Sequence, residues 1–235
     1  MVDFNDVEEF ISKINATSNL KTLQEQFTDT LIPLGFDKHT CLSFVDLNNP
    51  PSNSMLLFCF PEEWVTRYKQ EKYFEDDVVL KTIHKTVRPC LWQNLNDIDQ
   101  RNAQIFAEAQ EFGIKNGLTI PITLSGYYPT TINIAGEHRD IDPRTYHAVH
   151  LMAVHYHHVL LRIGGQRYRP PMLTHRQSQC LYWAAKGKSD PDIAEILSIT
   201  PRTVNYHIEI VREKFGVRTR AQVIAITTSC GLTFP

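Results

Sequence analysis

Cysteine pairs, long apolar runs and a secretory signal are missing from this chain of 235 residues. Its five cysteines are widely spaced and form no C-x-x-C pair, which argues against a zinc ribbon and a disulfide framework. No run of about eighteen apolar residues occurs, so no transmembrane helix is expected. The N-terminal MVDFNDVEEF is acidic and lacks the basic-then-apolar order of a secretory signal. The sequence therefore predicts a cytoplasmic location, reduced thiols and no membrane partner.

Familiar catalytic motifs are also missing. The chain contains no G-x-S-x-G elbow and no H-E-x-x-H helix. An enzyme that hydrolyses a small amide or ester, with Asp77 and a histidine as catalysts, is therefore only a remote alternative. No cofactor is predicted.

Charge divides the chain unevenly. Residues 166–235 hold ten lysines and arginines against five aspartates and glutamates, a net of +5, whereas residues 1–165 hold fourteen against twenty-one, a net of −7. At their junction, the glycine- and proline-rich IGGQRYRPPM is typical of a linker. We therefore expect a larger domain over residues 1–163, a linker over 164–172 and a smaller domain over 173–235. This asymmetry is typical of a DNA-binding protein with a regulatory half.

Four helices are predicted in the smaller domain from their start signals. Each begins after a residue suited to N-capping, namely Thr174, Ser189, Thr200 or Thr219. Gln177 lies three residues after Thr174, where it completes a capping box. The second and third helices are separated by the short Ser-Ile connection, and a short helix, a turn and a longer helix form a helix-turn-helix.

One face of the third helix is free to contact DNA. Its apolar residues recur with helical spacing and form a single stripe for the core: Val204, Ile208, Val211 and Phe215. The opposite face, in the first turns that reach base edges, carries Arg202, Asn205, Tyr206 and Glu209. Lys188, Arg218 and Arg220 lie near helix ends, where phosphate contacts usually form. The alternative is that these side chains are simply a solvated helix face.

The motif LT-x-R-x-x-x-x-L-x-W-x-A-x-G-K-S, followed by IA-x-x-L-x-I-x-x-x-TV-x-x-H, resembles the LuxR-type helix-turn-helix. Thr203 and His207 are among the matching positions, over about 60 residues. The family usually has Glu where this chain has Gln177, and the amide keeps the capping box while removing a charge. The resemblance implies double-stranded DNA as a partner and adds Thr203 to the DNA-contacting residues.

The larger domain is predicted to be α+β, an α/β/α sandwich around an antiparallel sheet, beside an all-α four-helix C-terminal domain. Helices are expected near 5–15, 19–33, 61–72, 78–86, 102–114 and 142–162. Strands are expected at 40–47, 54–60, 118–125 and 130–136, with a short one near 88–92. The order of these elements favours helices on both faces of the sheet.

Aromatic residues are dense between Phe58 and Trp92, and Asp76 and Asp77 lie among them. An aspartate beside buried aromatics requires hydrogen bonds. Such a chamber suits a small ligand with an amide or ester end and an apolar tail. The alternative from composition alone is an aromatic core with an exposed acidic loop.

The spacing Trp64-x3-Tyr68-x8-Asp77, followed by Trp92 and Gly117, is similar to the autoinducer-binding domain of LuxR-type quorum-sensing regulators. The resemblance implies an N-acyl-homoserine lactone as ligand. It implies that Trp64 donates to the lactone carbonyl and that Asp77 accepts from the amide N–H. Tyr68 and Trp92 would pack against the tail or the ring.

Three positions depart from that pattern. Val78 stands where the family commonly has Pro, and Phe60 stands where it often has a Tyr that bonds the acyl carbonyl. On the fourth strand, alignment places Ile132 at the position of a helpful Ser or Thr, which Thr130 or Thr131 could replace. Losing two donors to one carbonyl would cost about 2–4 kcal/mol, so an altered or absent ligand is a second hypothesis.

The last helix of this domain carries five histidines: His147, His150, His155, His157 and His158. Metal binding would need two or three converging ligands. We favour a dimer face with histidines at its rim.

These observations predict a ligand-responsive transcription regulator that binds a palindromic operator as a homodimer, because one recognition helix reads only a few base pairs. RNA polymerase is a candidate further partner. The alternative is a ligand-independent DNA-binding regulator whose N-terminal domain serves only dimerisation.

Overall fold

The computed structural model describes residues 4–51, 53–83, 86, 88–96, 98–137 and 141–233. They divide into two compact units, one mainly before and one mainly after the Gln166–Arg167 bond. The loops Asn49–Ser54 and Thr123–Pro129 group with the second unit. Within the described residues, no helix is long and apolar enough to cross a membrane.

The first unit is built on a five-stranded antiparallel sheet in the order β2-β1-β5-β4-β3. Its strands are β1 (Lys38–Ser43), β2 (Leu56–Cys59), β3 (Cys90–Leu91), β4 (Asn116–Ile122) and β5 (Thr130–Gly136). Its helices are α1 (Phe4–Asn15), α2 (Leu20–Leu31), α3 (Glu62–Gln70), α4 (Tyr73–Asp76), α5 (Val78–Ile83), α6 (Gln100–Glu111) and α7 (Pro143–Gly164).

The sheet separates two helical layers, as the side chains of β1 show, because successive side chains of a strand point to opposite faces. His39 faces α2 and α7, where its ring lies 5.0 Å from that of Phe27 and 5.4 Å from that of Tyr156. Its neighbour Thr40 faces the opposite side, where α3 and α6 pack. The predicted α/β/α sandwich is confirmed.

Most boundaries differ from the sequence prediction by one to three residues, and two differences concern the ends of β1 and α5. The first strand was expected to reach residue 47 but ends at Ser43, because the Asp46 side chain accepts from the Asn48 amide at 2.8 Å and turns the chain. The helix expected over 78–86 is described to Ile83, and residues 84 and 85 lie outside the described residues.

The second unit contains α8 (His175–Ala185), α9 (Asp190–Leu197), α10 (Pro201–Lys214) and α11 (Arg220–Ser229). The Thr174–Gln177 capping box is confirmed, and equivalent boxes begin α9 and α11. Between α9 and α10 the chain turns through Ser198, at φ 51° and ψ 51°. The apolar stripe of α10 is buried as predicted, so the predicted all-α helix-turn-helix fold is confirmed.

Candidate functional site

A cavity of about 90 Å³ lies between the sheet and the layer of α3–α6. On the same measure one water molecule needs roughly 10–15 Å³, so there is room for several heavy atoms. The lining is mostly aromatic and aliphatic, and it includes Thr40, Leu42, Leu47, Phe58, Phe60, Trp64, Val65, Tyr68, Lys69, Asp77, Val79, Leu80, Trp92, Ile105, Phe106, Ala109, Ile114 and Asn133. This chamber fits a molecule with an apolar body and few polar groups.

Helix α3 supplies two aromatic side chains to the chamber from one face. Trp64 and Tyr68 are four residues apart, which aligns them on a helix, and their rings meet edge to face at 5.7 Å. Trp64 is 5% exposed and also contacts the ring of buried Tyr73. It makes no hydrogen bond within the described residues, so its indole N–H is available to a ligand acceptor.

Asp77 is the acidic group of the chamber and lies between α4 and α5. Its carboxylate accepts from the Tyr68 hydroxyl at 2.7 Å and from the Val79 amide at 2.8 Å. Burial raises the pKa of Asp77, and these hydrogen bonds oppose that rise. Burial and the adjacent carboxyl raise the pKa of Tyr68. Because a carboxylate has about four acceptor positions, Asp77 retains capacity for a ligand N–H.

The sheet side of the chamber carries a row of hydrogen-bonded polar side chains. The Trp92 indole donates to the Thr119 hydroxyl at 2.9 Å, and Thr119 donates to the Asn133 side-chain oxygen at 2.8 Å. The Asn133 amide then donates to Thr40 at 2.8 Å and to Thr131 at 3.4 Å. Sequence reasoning missed Thr40, Thr119 and Asn133. For Thr119 and Asn133 the available signal was a polar residue with an apolar residue on each side, whereas Thr40 follows His39 and had no such signal.

The predicted ligand residues fall into two groups. Five of them line the cavity: Trp64, Tyr68, Asp77, Trp92 and Phe60. Val78 does not line it, and its backbone amide donates to the Asn102 side chain at 2.7 Å.

Two of the residues predicted on β5, Ile132 and Thr130, do not line the cavity. Asn133 faces the cavity, so its neighbour Ile132, and Thr130 two residues earlier, point to the other face. Ile132 is fully buried there. The polar side chain of β5 that lines the cavity is therefore Asn133, one residue away from the aligned position.

Helix α10 presents the predicted polar face to solvent. Arg202, Asn205 and Tyr206 are exposed, and Tyr206 is 61% exposed. The Thr203 hydroxyl bonds to that of Thr200 at 2.8 Å. Glu209 is held by Arg212 through contacts of 2.6 and 2.7 Å, so it is less available to accept from a base.

The predicted phosphate-contacting residues differ in their surroundings. Lys188, between α8 and α9, and Arg218, before α11, are exposed. Arg220 is half-buried and forms an ion pair with Asp190. Lys188 and Arg218 are therefore better placed than Arg220 to contact a phosphate without first breaking an ion pair.

The histidines of α7 occupy different environments. His147 and His158 are exposed, and His150 and His155 are half-buried. His157 is only 2% exposed and therefore does not lie at a rim, contrary to expectation. Among the residues that the structure describes, no three or more histidine, cysteine or acidic side chains converge as metal ligands would.

Two known protein families match this chain, one in each of its two units. Residues 19–160 match the autoinducer binding domain, and residues 171–227 match the bacterial regulatory proteins of the luxR family. The chain belongs to the LuxR-type quorum-sensing regulators. It is a DNA-binding transcriptional regulator with an autoinducer-binding domain, and not an enzyme.

Curated relatives and solved structures agree with this assignment. Transcriptional activator protein BjaR1 of Bradyrhizobium diazoefficiens is 29% identical over 171 residues, 71% of each chain. Transcriptional activator protein AhyR of Aeromonas hydrophila is 25% identical and covers 97% of this chain and 92% of its own. The crystal structure of Escherichia coli SdiA superposes with a TM-score of 0.72 at 20% identity over 99% of both chains, which shows a shared fold.

Proposed function

We propose that this regulator binds an N-acyl-homoserine lactone or a related small amphiphile in the chamber, and reads a palindromic operator as a homodimer. In this proposal residues 1–163 sense the ligand and dimerise, residues 164–172 are a linker and residues 173–235 bind DNA. Because its target is DNA, the regulator would act in the cytoplasm. RNA polymerase is a further proposed partner.

The observation that carries the ligand half is the pairing of a donor and an acceptor in one apolar cavity. Trp64 offers an unused indole N–H for the lactone carbonyl, and Asp77 offers a buried carboxylate for the amide N–H. The aliphatic lining then surrounds the acyl tail. A solved complex of SdiA contains octanoyl-rac-glycerol, an acyl chain with a polar head, and that protein shares this fold. This supports a ligand of the same general shape.

The ligand half is tested by calorimetric titration of the dimer with lactones from butanoyl to tetradecanoyl. Asp77→Asn should weaken the preferred lactone by about tenfold to a hundredfold, since a hydrogen bond to a charged group contributes about 1.5–3 kcal/mol. Asp76→Asn is the matched control, because the neighbouring Asp76 is outside the lining and forms ion pairs with Lys81 and Arg101. Unchanged affinity in Asp77→Asn would remove Asp77 from the site.

The DNA half depends on the exposed face of α10. Asn205→Ala should change base preference, because an asparagine can pair with adenine in the major groove. Lys188→Ala should weaken all sequences alike and lower the slope of log affinity against log salt by about one. Binding to a randomised operator pool, sequenced after selection, separates the two effects. If both variants lost affinity without any change in preference, the proposed reading face would be wrong.

A second candidate function keeps DNA binding but uses the N-terminal domain only for dimerisation. The observation in its favour is Phe60, which lines the chamber without a hydroxyl. Thermal unfolding of the wild-type protein with each lactone distinguishes the candidates. Stabilisation by at least one chain length supports sensing, whereas DNA binding without any stabilisation supports this second candidate.

A further inference from the structure

The polar row on the sheet side of the chamber has a fixed direction. An indole nitrogen can only donate, so the Thr119 oxygen accepts from Trp92. The Thr119 hydroxyl in turn donates to the Asn133 side-chain oxygen. The Asn133 side-chain oxygen is thereby the acceptor, and its amide group donates to Thr40. The row therefore begins with a donor-only group and ends at the hydroxyl of Thr40.

Thr40 has a proton left to donate. Its oxygen accepts from Asn133, and its O–H finds no acceptor among the residues that the structure describes. The side chain is 3% exposed and lines the cavity, so bulk water does not replace the missing acceptor. A buried donor without a partner is unfavourable, and a ligand oxygen would satisfy it.

Most other donors of the lining already have partners. Trp92 donates to Thr119, the Tyr68 hydroxyl donates to Asp77, and both amide protons of Asn133 are used. The Lys69 ammonium lies 4.7 Å from the centre of the Phe58 ring. Among the described residues that line the cavity, Thr40 is thus the hydroxyl donor that remains on the sheet side.

Strand register places Thr40 close to Phe60, which lacks the hydroxyl of a tyrosine. Thr40 pairs with Phe58 across β1 and β2, and Phe60 is two residues further along the same face, just past the end of β2. Diagonal neighbours of this kind are roughly 7–8 Å apart at their Cα atoms and remain within reach of long side chains. A carbonyl that a tyrosine at position 60 would bind is therefore within the region that Thr40 faces.

We propose that Thr40 is the hydrogen-bond donor to the acyl carbonyl oxygen of the ligand, in place of the hydroxyl that Phe60 lacks. This inference rests on the proposed lactone binding and adds a specificity residue to it. The ligand class is then an N-acyl compound with its carbonyl toward β1. Asn133 and Thr119 act through Thr40, because they orient and polarise its hydroxyl.

The test measures affinity for the lactone that binds the wild-type dimer best and for its thioamide analogue, whose sulfur is a weaker acceptor. Thr40→Val, nearly isosteric, should weaken the amide ligand about tenfold and the thioamide much less. Thr40→Ser keeps the hydroxyl and should bind both ligands nearly as the wild type does. Should the valine variant not fold, Thr40→Cys, with a weak thiol donor, provides the same comparison.

Three results would overturn the inference. Equal losses for both ligands in Thr40→Val would mean that the side chain shapes the chamber without bonding the carbonyl. A selective loss for the amide in Lys69→Met, with none in Thr40→Val, would assign the carbonyl to Lys69. A wild-type dimer that binds no lactone would refute the proposed ligand as well, whereas tight binding unaffected by Thr40→Val refutes this inference alone.

Discussion

Acid sensitivity of the first unit should originate at two buried histidines, His39 and His157, and His157 gives the simpler test. This side chain of α7 is 2% exposed, and neither ring nitrogen has a hydrogen-bond partner among the described residues. Burial, with a smaller contribution from His158, lowers the pKa of His157 from 6.5 to about 4. The same burial lowers the pKa of His39 to about 4, but His39 lies 3.3 Å from the Thr28 hydroxyl and 3.1 Å from the Tyr156 hydroxyl.

The sign of the effect follows from which state binds the proton. Between pH 6.5 and about 4 the unfolded chain protonates His157 while the folded chain does not, so stability is fully present above pH 6.5 and is lost as the pH falls. Each pH unit in that interval corresponds to about 1.4 kcal/mol. The loss at pH 5 is therefore about 2 kcal/mol, and near pH 4 it reaches about 3 kcal/mol.

Replacing His157 with leucine removes this proton-linked loss without breaking a hydrogen bond. At pH 5, the free energy of unfolding of His157→Leu should be about 2 kcal/mol higher than that of the wild type. The difference should be smaller at pH 7.5. His39→Leu should also lose acid sensitivity, but it should be less stable at pH 7.5 by about 1–3 kcal/mol because hydrogen bonds are lost. Guanidinium unfolding, followed by circular dichroism at one protein concentration, measures both. Identical pH dependence in His157→Leu and the wild type would refute the reasoning.

Two further changes test the chamber. Gly117→Ala would place a methyl group 2.4 Å from a backbone oxygen of β5 and 3.0 Å from the Trp92 ring. We therefore expect the free energy of unfolding to fall by about 2–4 kcal/mol. A loss below about 0.5 kcal/mol would contradict this close approach. Phe60→Tyr adds a hydroxyl beside the proposed carbonyl, so it should tighten lactone binding several-fold in titrations and restore most of the affinity lost in Thr40→Val. If Phe60→Tyr did not restore the affinity lost in Thr40→Val, the two side chains would not bind the same carbonyl.

Local signals were sufficient to predict the second unit. A capping residue acts on groups two or three positions away, so Thr174 and Gln177 could be paired from the sequence alone. The burial of Val204, Ile208 and Val211 follows from helical periodicity, which needs no knowledge of the partner helices. The side chains opposite them were therefore identified correctly as exposed, except that Glu209 is held by Arg212.

The chamber was predictable only in part, because helices and strands contribute to it differently. Trp64 and Tyr68 follow from spacing within one helix. The face of a strand residue depends on register, and an offset of one position moves the side chain to the opposite layer. That is why Ile132 was assigned to the ligand while Asn133, its neighbour, faces the cavity.

In the proposed recognition of the ligand by Thr40, specificity depends on strand pairing more than on any local motif. Asn133 is paired with Thr119 on one side and with Thr40 on the other, and these partners lie 14 and 93 residues away along the chain. A substitution at any of the three changes the hydrogen bonds of the other two. A tyrosine at position 60, by contrast, could supply a donor without help from the sheet. Under this proposal, recognition of the carbonyl depends on a row of four side chains, from Trp92 to Thr40, and each of them orients the next through a hydrogen bond.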